Sequence, residues 1–444
     1  MTISSILFIL ILVGSSAFFA MKVRQIIKNI RLGKSINRTD RKGERLKIMI
    51  RVALGQSKMV TRPIAGILHI FIYVAFIFTQ IELIEIIIDG ASGSHRIFAE
   101  PLGGLYTFVI SLIEVLSLLA LIATFVFLSR RNLIKVPRLV KSEMTGWPKL
   151  DGNIILYLEI ILVICVFTMN GSDEALYNRG ASHYEGQGSF GFALSQFFGP
   201  SVFGGMETST LHVIERIGWW GHFGVVMGFV IYLPFSKHLH IFWAFPNVFF
   251  SNLDPKGQFS NMESVTNEVK MMLDPNADPY AVPEVDPNAV PQKFGAKDVP
   301  DLNWVNIMNA YTCTECGRCT SSCPANVTGK MLSPRKIMMD VRDRAEEIGK
   351  GIKKDGEDFN DGKSLLGDYI TEEEIWACTS CNACVQECPV NIDPLAIIVD
   401  LRRYLVMEES KIPSELITMN TNIENNQAPW QFSPTDRLKW KDEE

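Results

Sequence analysis

The sequence predicts a mainly α protein: a five-helix transmembrane bundle followed by an all-α domain built around two groups of four cysteines. Three observations carry this. Five apolar runs, at about 3–21, 64–88, 105–128, 152–170 and 213–235, approach or exceed the roughly 20 helical residues that cross a hydrocarbon core. Two blocks, CTECGRCTSSCP from Cys313 and CTSCNACVQECP from Cys378, repeat one C-x2-C-x2-C-x3-C-P pattern and hold eight of the nine cysteines. The segments beside those blocks read as helices.

A chain of 444 residues has room for two or three domains. Its 47% hydrophobic content is segregated: residues 1–250 hold the apolar runs, and residues 251–444 are polar. No basic stripe of the kind a nucleic-acid binder needs is present, so no nucleic-acid partner is expected.

The first run has no basic residue ahead of it and MKVRQIIKNIRLGK behind it. That pattern reads as an uncleaved anchor with its N-terminus outside, and against a signal peptide. Thirteen Lys/Arg lie between the first and second runs and six between the third and fourth, whereas the opposite loops carry one each, Arg96 and Arg179. The positive-inside rule then makes the basic loops cytoplasmic. Five spans leave the cysteine half in the cytoplasm of a bacterial inner membrane. That compartment is reducing, which favours metal over disulfides.

Ionisable groups in membrane helices mark function more often than those elsewhere. His69 sits near the start of the second run, and the fifth reads LHVIERIGWWGHFGVVMGFVIYLPFSKHLHIFWAFP, with His212, His222, His238 and His240. Treated as one helix, His222 and His240 are eighteen residues apart and share a face about 27 Å apart. Two such histidines suit one or two b-type haems stacked across the bilayer, with Pro234 as a possible kink. His240 would pair with His69; His222 needs a partner nearer the outside, for which His95 and His212 are the candidates. The plainer reading makes these histidines interfacial groups that satisfy the backbone. His238 and His183 read as surface residues, and Cys165 as a small core residue. Glu82 and Glu85 share a helix face and suit either a proton relay to a quinone or a position at the interface.

Residues 251–310 contain DPNA twice and many prolines, which predicts an extended linker. Within 311–410, four cysteines in eleven residues suit zinc or iron by composition alone. The spacing separates them. In such a run three cysteines bind one [4Fe–4S] cluster and the fourth reaches the other. Two [4Fe–4S] clusters follow: Cys313, Cys316 and Cys319 with Cys388, and Cys378, Cys381 and Cys384 with Cys323. Gly317 and Ala383 are small enough to let backbone amides approach sulfur. Ser333 before Pro334 predicts one helix start, and Pro394 another. Residues 411–444 form a tail.

These residues carry a resemblance. YTCTECGRCTSSCPANVTGKMLSPRKI with CTSCNACVQECPVNIDPLAIIVDLRR resembles the helical ferredoxin module of the heterodisulfide-reductase-like electron-transfer family. That module also occurs in iron–sulfur subunits of anaerobic glycerol-3-phosphate and glycolate dehydrogenases. The membrane half is similar to the five-helix cytochrome b subunit of respiratory nitrate reductase, whose haem ligands lie on the second and fifth helices. The resemblance maps His69, His222 and His240 onto ligand positions, and it departs at Thr79, where that subunit has its other second-helix histidine. It further implies a separate cytoplasmic catalytic or CCG-domain iron–sulfur subunit as partner.

The expected function is a membrane electron-transfer subunit between a cytoplasmic redox partner and the quinone pool, menaquinone or similar. The alternatives are a haem-free membrane-anchored ferredoxin and a redox sensor. No G-x-G-x-x-G follows a predicted strand, so no nicotinamide site is expected.

Overall fold

The structure is a computed structural model that describes residues 2–181, 191–255, 257–275 and 293–442. It is 71% helical, with no strand among the described residues. His183 and the proline-rich stretch 276–292 lie outside them. Among the described residues, five helices are long and apolar enough to cross a membrane: α1 (Ile3–Ile30), α2 (Pro63–Ser92), α3 (Gly104–Asn132), α4 (Trp147–Tyr177) and α5 (Thr208–Tyr232), the last extended by a turn to Phe235. Pro63 opens α2 at a position where its missing N–H costs nothing, and Gly93 closes it in the left-handed conformation.

The bundle pairs α4 with α5 and α2 with α3, and α1 lies across α2 and α5. Small residues set the α4–α5 distance. A Cβ on Gly218 would meet the Met169 nitrogen at 2.7 Å, and one on Gly221 would meet Cys165 Sγ at 2.8 Å. Cys165 therefore fills this seam, as a core residue would.

The fifth run is not one helix. Pro234 ends α5, the turns Leu233–Phe235 and Lys237–Leu239 follow, and α6 (His240–Phe249) starts afresh. His222 and His240 therefore lie on different helices, and the one-face spacing expected of a continuous helix does not apply.

The cysteine half is built on α7 (Trp304–Thr312), α8 (Pro334–Asp355), α9 (Pro394–Met407) and α10 (Ser414–Asn426). Asn303, Ser333 and Asp393 each accept an N–H at the first turn of α7, α8 and α9, which supplies partners for otherwise orphaned backbone donors. Ile26 and Ile30 of α1, with Leu233 and Leu239, share one apolar core with Ile307, Ile337, Val341 and Leu401. The two halves are thus joined by packing. The last part of the expected linker belongs to this core: Ala296, Val299 and Leu302 are fully buried, and the Leu302 carbonyl accepts the Lys34 N–H at 2.7 Å. Its proline-rich composition hid three apolar residues spaced to bury.

Candidate functional site

Each cysteine block folds into the same local shape. Glu315 and Gly317 in the first block, and Ser380 and Asn382 in the second, occupy the left-handed region. These positions flank the second cysteine of each block and curl the chain so that its amides turn inward. The counterpart of Gly317 is therefore Asn382, and the neighbouring Ala383 instead opens a short helix. At Gly317 glycine is required twice, since a Cβ there would also collide with the buried Arg335 guanidinium. N–H groups point at sulfur: Ser380 N donates to Cys378 Sγ at 3.4 Å and Ile392 N to Cys388 Sγ at 3.3 Å.

Sulfurs of the two blocks lie close enough to act on one another. Cys388, from the second block, acts on Cys313 together with Cys316, and Cys319 is acted on by Cys316, Cys313, Cys388 and Cys384. Cys323, from the first block, acts on Cys378 and Cys384. Cys323, Cys378, Cys381 and Cys384 also line one pocket together with Leu332, Leu395 and Ile398.

The donors fit iron–sulfur cubes better than zinc. Zinc–sulfur bonds of about 2.3 Å would draw tetrahedral sulfurs to within roughly 4 Å of each other. Among the described residues, the one triad of His, Cys, Asp or Glu donors mutually within 4.8 Å is His95, Asp173 and Glu215, so no three cysteine sulfurs are drawn together that closely. Burial pushes the free thiol of Cys313 up to about 12 and that of Cys388 to about 11. Thiols in such surroundings stay protonated unless a metal supplies compensating charge.

Cations hold this module against the bundle. Just before α2, Lys58 Nζ donates to the Cys388 carbonyl at 3.2 Å, and Arg62 pairs with Glu387 at 2.9 Å. Arg318 reaches back to the Lys58 and Met59 carbonyls. Between α3 and α4, Glu143 accepts from Arg335 at 2.6 Å and from Ser333 at 2.8 Å. Between α5 and α6, Lys237 pairs with Glu315, which stands inside the first cysteine block. The loops that carry most of the Lys/Arg excess thus meet the cysteine loops at one end of the bundle.

At that same end the His69 and His240 rings face each other, with centroids 6.4 Å apart. Two imidazoles on opposite sides of one iron, with metal–nitrogen bonds of about 2 Å, require a separation of roughly 6 Å. His240 Nδ1 lies 3.1 Å from the Lys237 carbonyl, an outer bond that leaves Nε2 for a metal. His69 Nδ1 is buried without a hydrogen-bond partner. The ring separation is the one that two histidines holding a single haem would need. His238, expected at the surface, is half-buried, because the turn after α5 stacks it on His240 at 6.0 Å and edge-on against Phe229 at 5.4 Å.

The other histidines lie apart from this pair. His222 is buried in α5, with its Nδ1 unpartnered. His212 is half-buried near the start of α5. His95 presents Nε2 to Asp173 at 3.3 Å and Nδ1 to Arg216 at 3.5 Å. It joins a buried polar chamber at the far end of the bundle. There Arg96 donates to Asp173 at 2.9 Å and to Asn170 at 2.6 Å. Glu85 accepts from Phe98 N at 3.0 Å and from Tyr106 at 2.9 Å. Glu82 and Glu85 are both buried within the bundle. Glu82 Oε1 has no hydrogen-bond partner and lines a cavity with Glu85, Asp89, His95 and Arg96.

Sequence reasoning missed Lys58, Arg62, Arg318, Lys237 and Glu315. Their only signal was position: the cations in turns beside the spans, and Glu315 between two cysteines.

Comparison with known proteins agrees with the cysteine geometry. The family model for a 4Fe-4S dicluster domain matches residues 312–392. The probable iron-sulfur-binding oxidoreductase FadF of Bacillus subtilis is 29% identical over 99% of this chain and 61% of its own length. The EtfAB:quinone oxidoreductase of Syntrophomonas wolfei is 28% identical over 92% of this chain and 55% of its own. A probable membrane-anchored ferredoxin of Chromohalobacter salexigens is 32% identical over 33% of this chain and 24% of its own. The chain spans less than two thirds of the length of these relatives, and no solved structure matches it. It is a helical protein with a 4Fe-4S dicluster domain, and its relatives are iron–sulfur oxidoreductases that include a quinone oxidoreductase and a membrane-anchored ferredoxin.

Proposed function

We propose that this chain passes single electrons between a cytoplasmic redox partner and membrane quinone. The observation that carries the reading is the shared end of the bundle, where the cysteine loops lie against the segments that bear His69 and His240. When bound, two [4Fe–4S] clusters and a b-type haem supply reversible one-electron carriers.

The residues take distinct roles. Cys313, Cys316 and Cys319 with Cys388 hold one cluster, and Cys378, Cys381 and Cys384 with Cys323 hold the other. The crossing ties the two blocks together and fixes the spacing between the clusters. His69 and His240 hold the haem, as in the nitrate-reductase-type cytochrome b that the membrane half resembles. Thr79 argues for one haem only: a second at His222 would need His95 or His212, and both ring nitrogens of His95 already face Asp173 and Arg216. Leu332, Leu395 and Ile398 give the second sulfur group an apolar side, while Cys381 stays exposed. The far chamber, with Glu82 among its carboxylates, suits proton exchange for quinone chemistry.

The partner is a separate cytoplasmic catalytic or CCG-domain iron–sulfur subunit that docks on the cytoplasmic face. EtfAB and quinone are the pair given in one relative's name, and the same kind of pair is proposed here. A second reading, a haem-free anchored ferredoxin, is favoured by the relative of that description. Iron and haem analysis of the purified chain tests the choice. The conduit predicts about eight cluster irons per chain together with a reduced b-type haem spectrum. Full iron without haem absorbance selects the anchor, and zinc in place of iron rejects both.

A further inference from the structure

We propose that Lys237 is a positioning residue that couples the two redox halves by tying His240 to the first cysteine loop. The inference rests on the reading of His240 as a haem ligand and of Cys313 and Cys316 as cluster ligands.

Lys237 lies in the turn between α5 and α6, with a side chain only 7% exposed. Its main-chain carbonyl faces His240 Nδ1 at 3.1 Å. Its main-chain N–H donates to Asp151 at 3.1 Å. Its ammonium pairs with Glu315 and donates to the Pro148 carbonyl at 2.7 Å. Asp151 braces the same turn, accepting from Ser236 at 2.6 Å and from Tyr232 at 2.5 Å. Glu315 stands between Cys313 and Cys316 in the left-handed conformation, and Arg342 holds its other oxygen at 2.8 Å. One buried residue thus touches the histidine through its backbone and the cysteine loop through its side chain.

This arrangement has two physical consequences. The carbonyl acceptor fixes the imidazole plane and leaves Nε2 for the metal. The ammonium is a fixed positive charge in a water-poor seam between the centres, where charge acts strongly. A positive charge favours the reduced form of any nearby centre. Removing it shifts both midpoint potentials downward, and removing the Glu315 charge shifts both upward. A residue that merely braced the fold would not make the sign of the shift follow the sign of the charge removed.

The test uses the full chain in lipid nanodiscs, comparing Lys237→Met, Lys237→Arg, Glu315→Gln and an exposed control, Lys350→Met. Midpoint potentials are read from the cluster electron-paramagnetic-resonance signals and from haem absorbance, and the haem g-values report ligand orientation. The expected result is lower potentials at both centres and altered haem g-values in Lys237→Met. Lys237→Arg restores them, Glu315→Gln raises both, and the control changes neither. Unchanged potentials in Lys237→Met, or a shift at one centre alone, would overturn the coupling. If Lys237→Met loses its cofactors, the upward shift in Glu315→Gln decides, and its absence overturns the proposal. A wild-type chain without haem absorbance would overturn the assignment of His240, and the proposal with it, by a readout independent of the variants.

Discussion

The two ends of the bundle use charge in opposite ways. At the cysteine end, Lys58, Arg62, Arg318 and Arg335 donate to carbonyls and carboxylates, and the sulfurs are left to face one another. At the far end, carboxylates from α2, α4 and α5 converge on Arg96 and His95, and one of them, Glu82, keeps an oxygen without a partner. Clustered thiolates in a cationic frame suit electrons, which need metal and little motion. Buried carboxylates in excess suit protons, which need a base that can change state. In the proposed function, the contrast separates electron handling at one end of the bundle from proton handling at the other.

The largest effect that would break this contrast is at Cys388. Cys388→Ser should remove the cluster of Cys313, Cys316 and Cys319, halving iron from about eight to about four atoms per chain while the other cluster's signal persists. Loss of the other cluster's signal instead would show that the blocks do not cross. Next is the histidine pair. His240→Ala should abolish the haem spectrum, and His238→Ala should retain it even though the two rings stack.

A smaller effect tests the cationic frame itself. Arg335→Met leaves the Glu143 carboxylate without its buried partner. It should cost about 3 kcal/mol, measured as easier denaturant unfolding of the cysteine half. The smallest effect sharpens the packing between the halves. A methyl on Gly349 would strike Asn29, the α1 residue that bonds Tyr311, whereas one on Gly224 meets nothing within 4 Å. Gly349→Ala should therefore destabilise by about 1–3 kcal/mol. Gly224→Ala should be neutral or stabilising by about 0.5–1 kcal/mol. Thermal unfolding of the two variants, followed side by side, makes the comparison.

Legibility followed the range of the interactions. The cysteine blocks could be read because ligand spacing is local, but the left-handed residues beside Cys316 and Cys381 were missed, and the counterpart of Gly317 is Asn382 where Ala383 was expected. The five long helices could be read from apolar length alone. The His222–His240 phase failed because it assumed a continuous helix through Pro234, where the chain turns twice. His238 was misread for the same reason, since its burial comes from that turn. The chamber around Glu82 and Arg96 unites residues some 80 to 130 positions apart, such as Glu85 with Asp173 and Glu215, and no local pattern announces it. Core residues near 300 were hidden by prolines, which set the backbone path without preventing burial.

The most direct measurement follows the reoxidation of dithionite-reduced clusters by menaquinone embedded in sealed vesicles. The account predicts reoxidation on the order of tenfold faster, or more, in the wild-type chain than in His240→Ala with its clusters intact. Equal rates in the two chains would contradict a path from the cysteine module through the histidine pair to quinone.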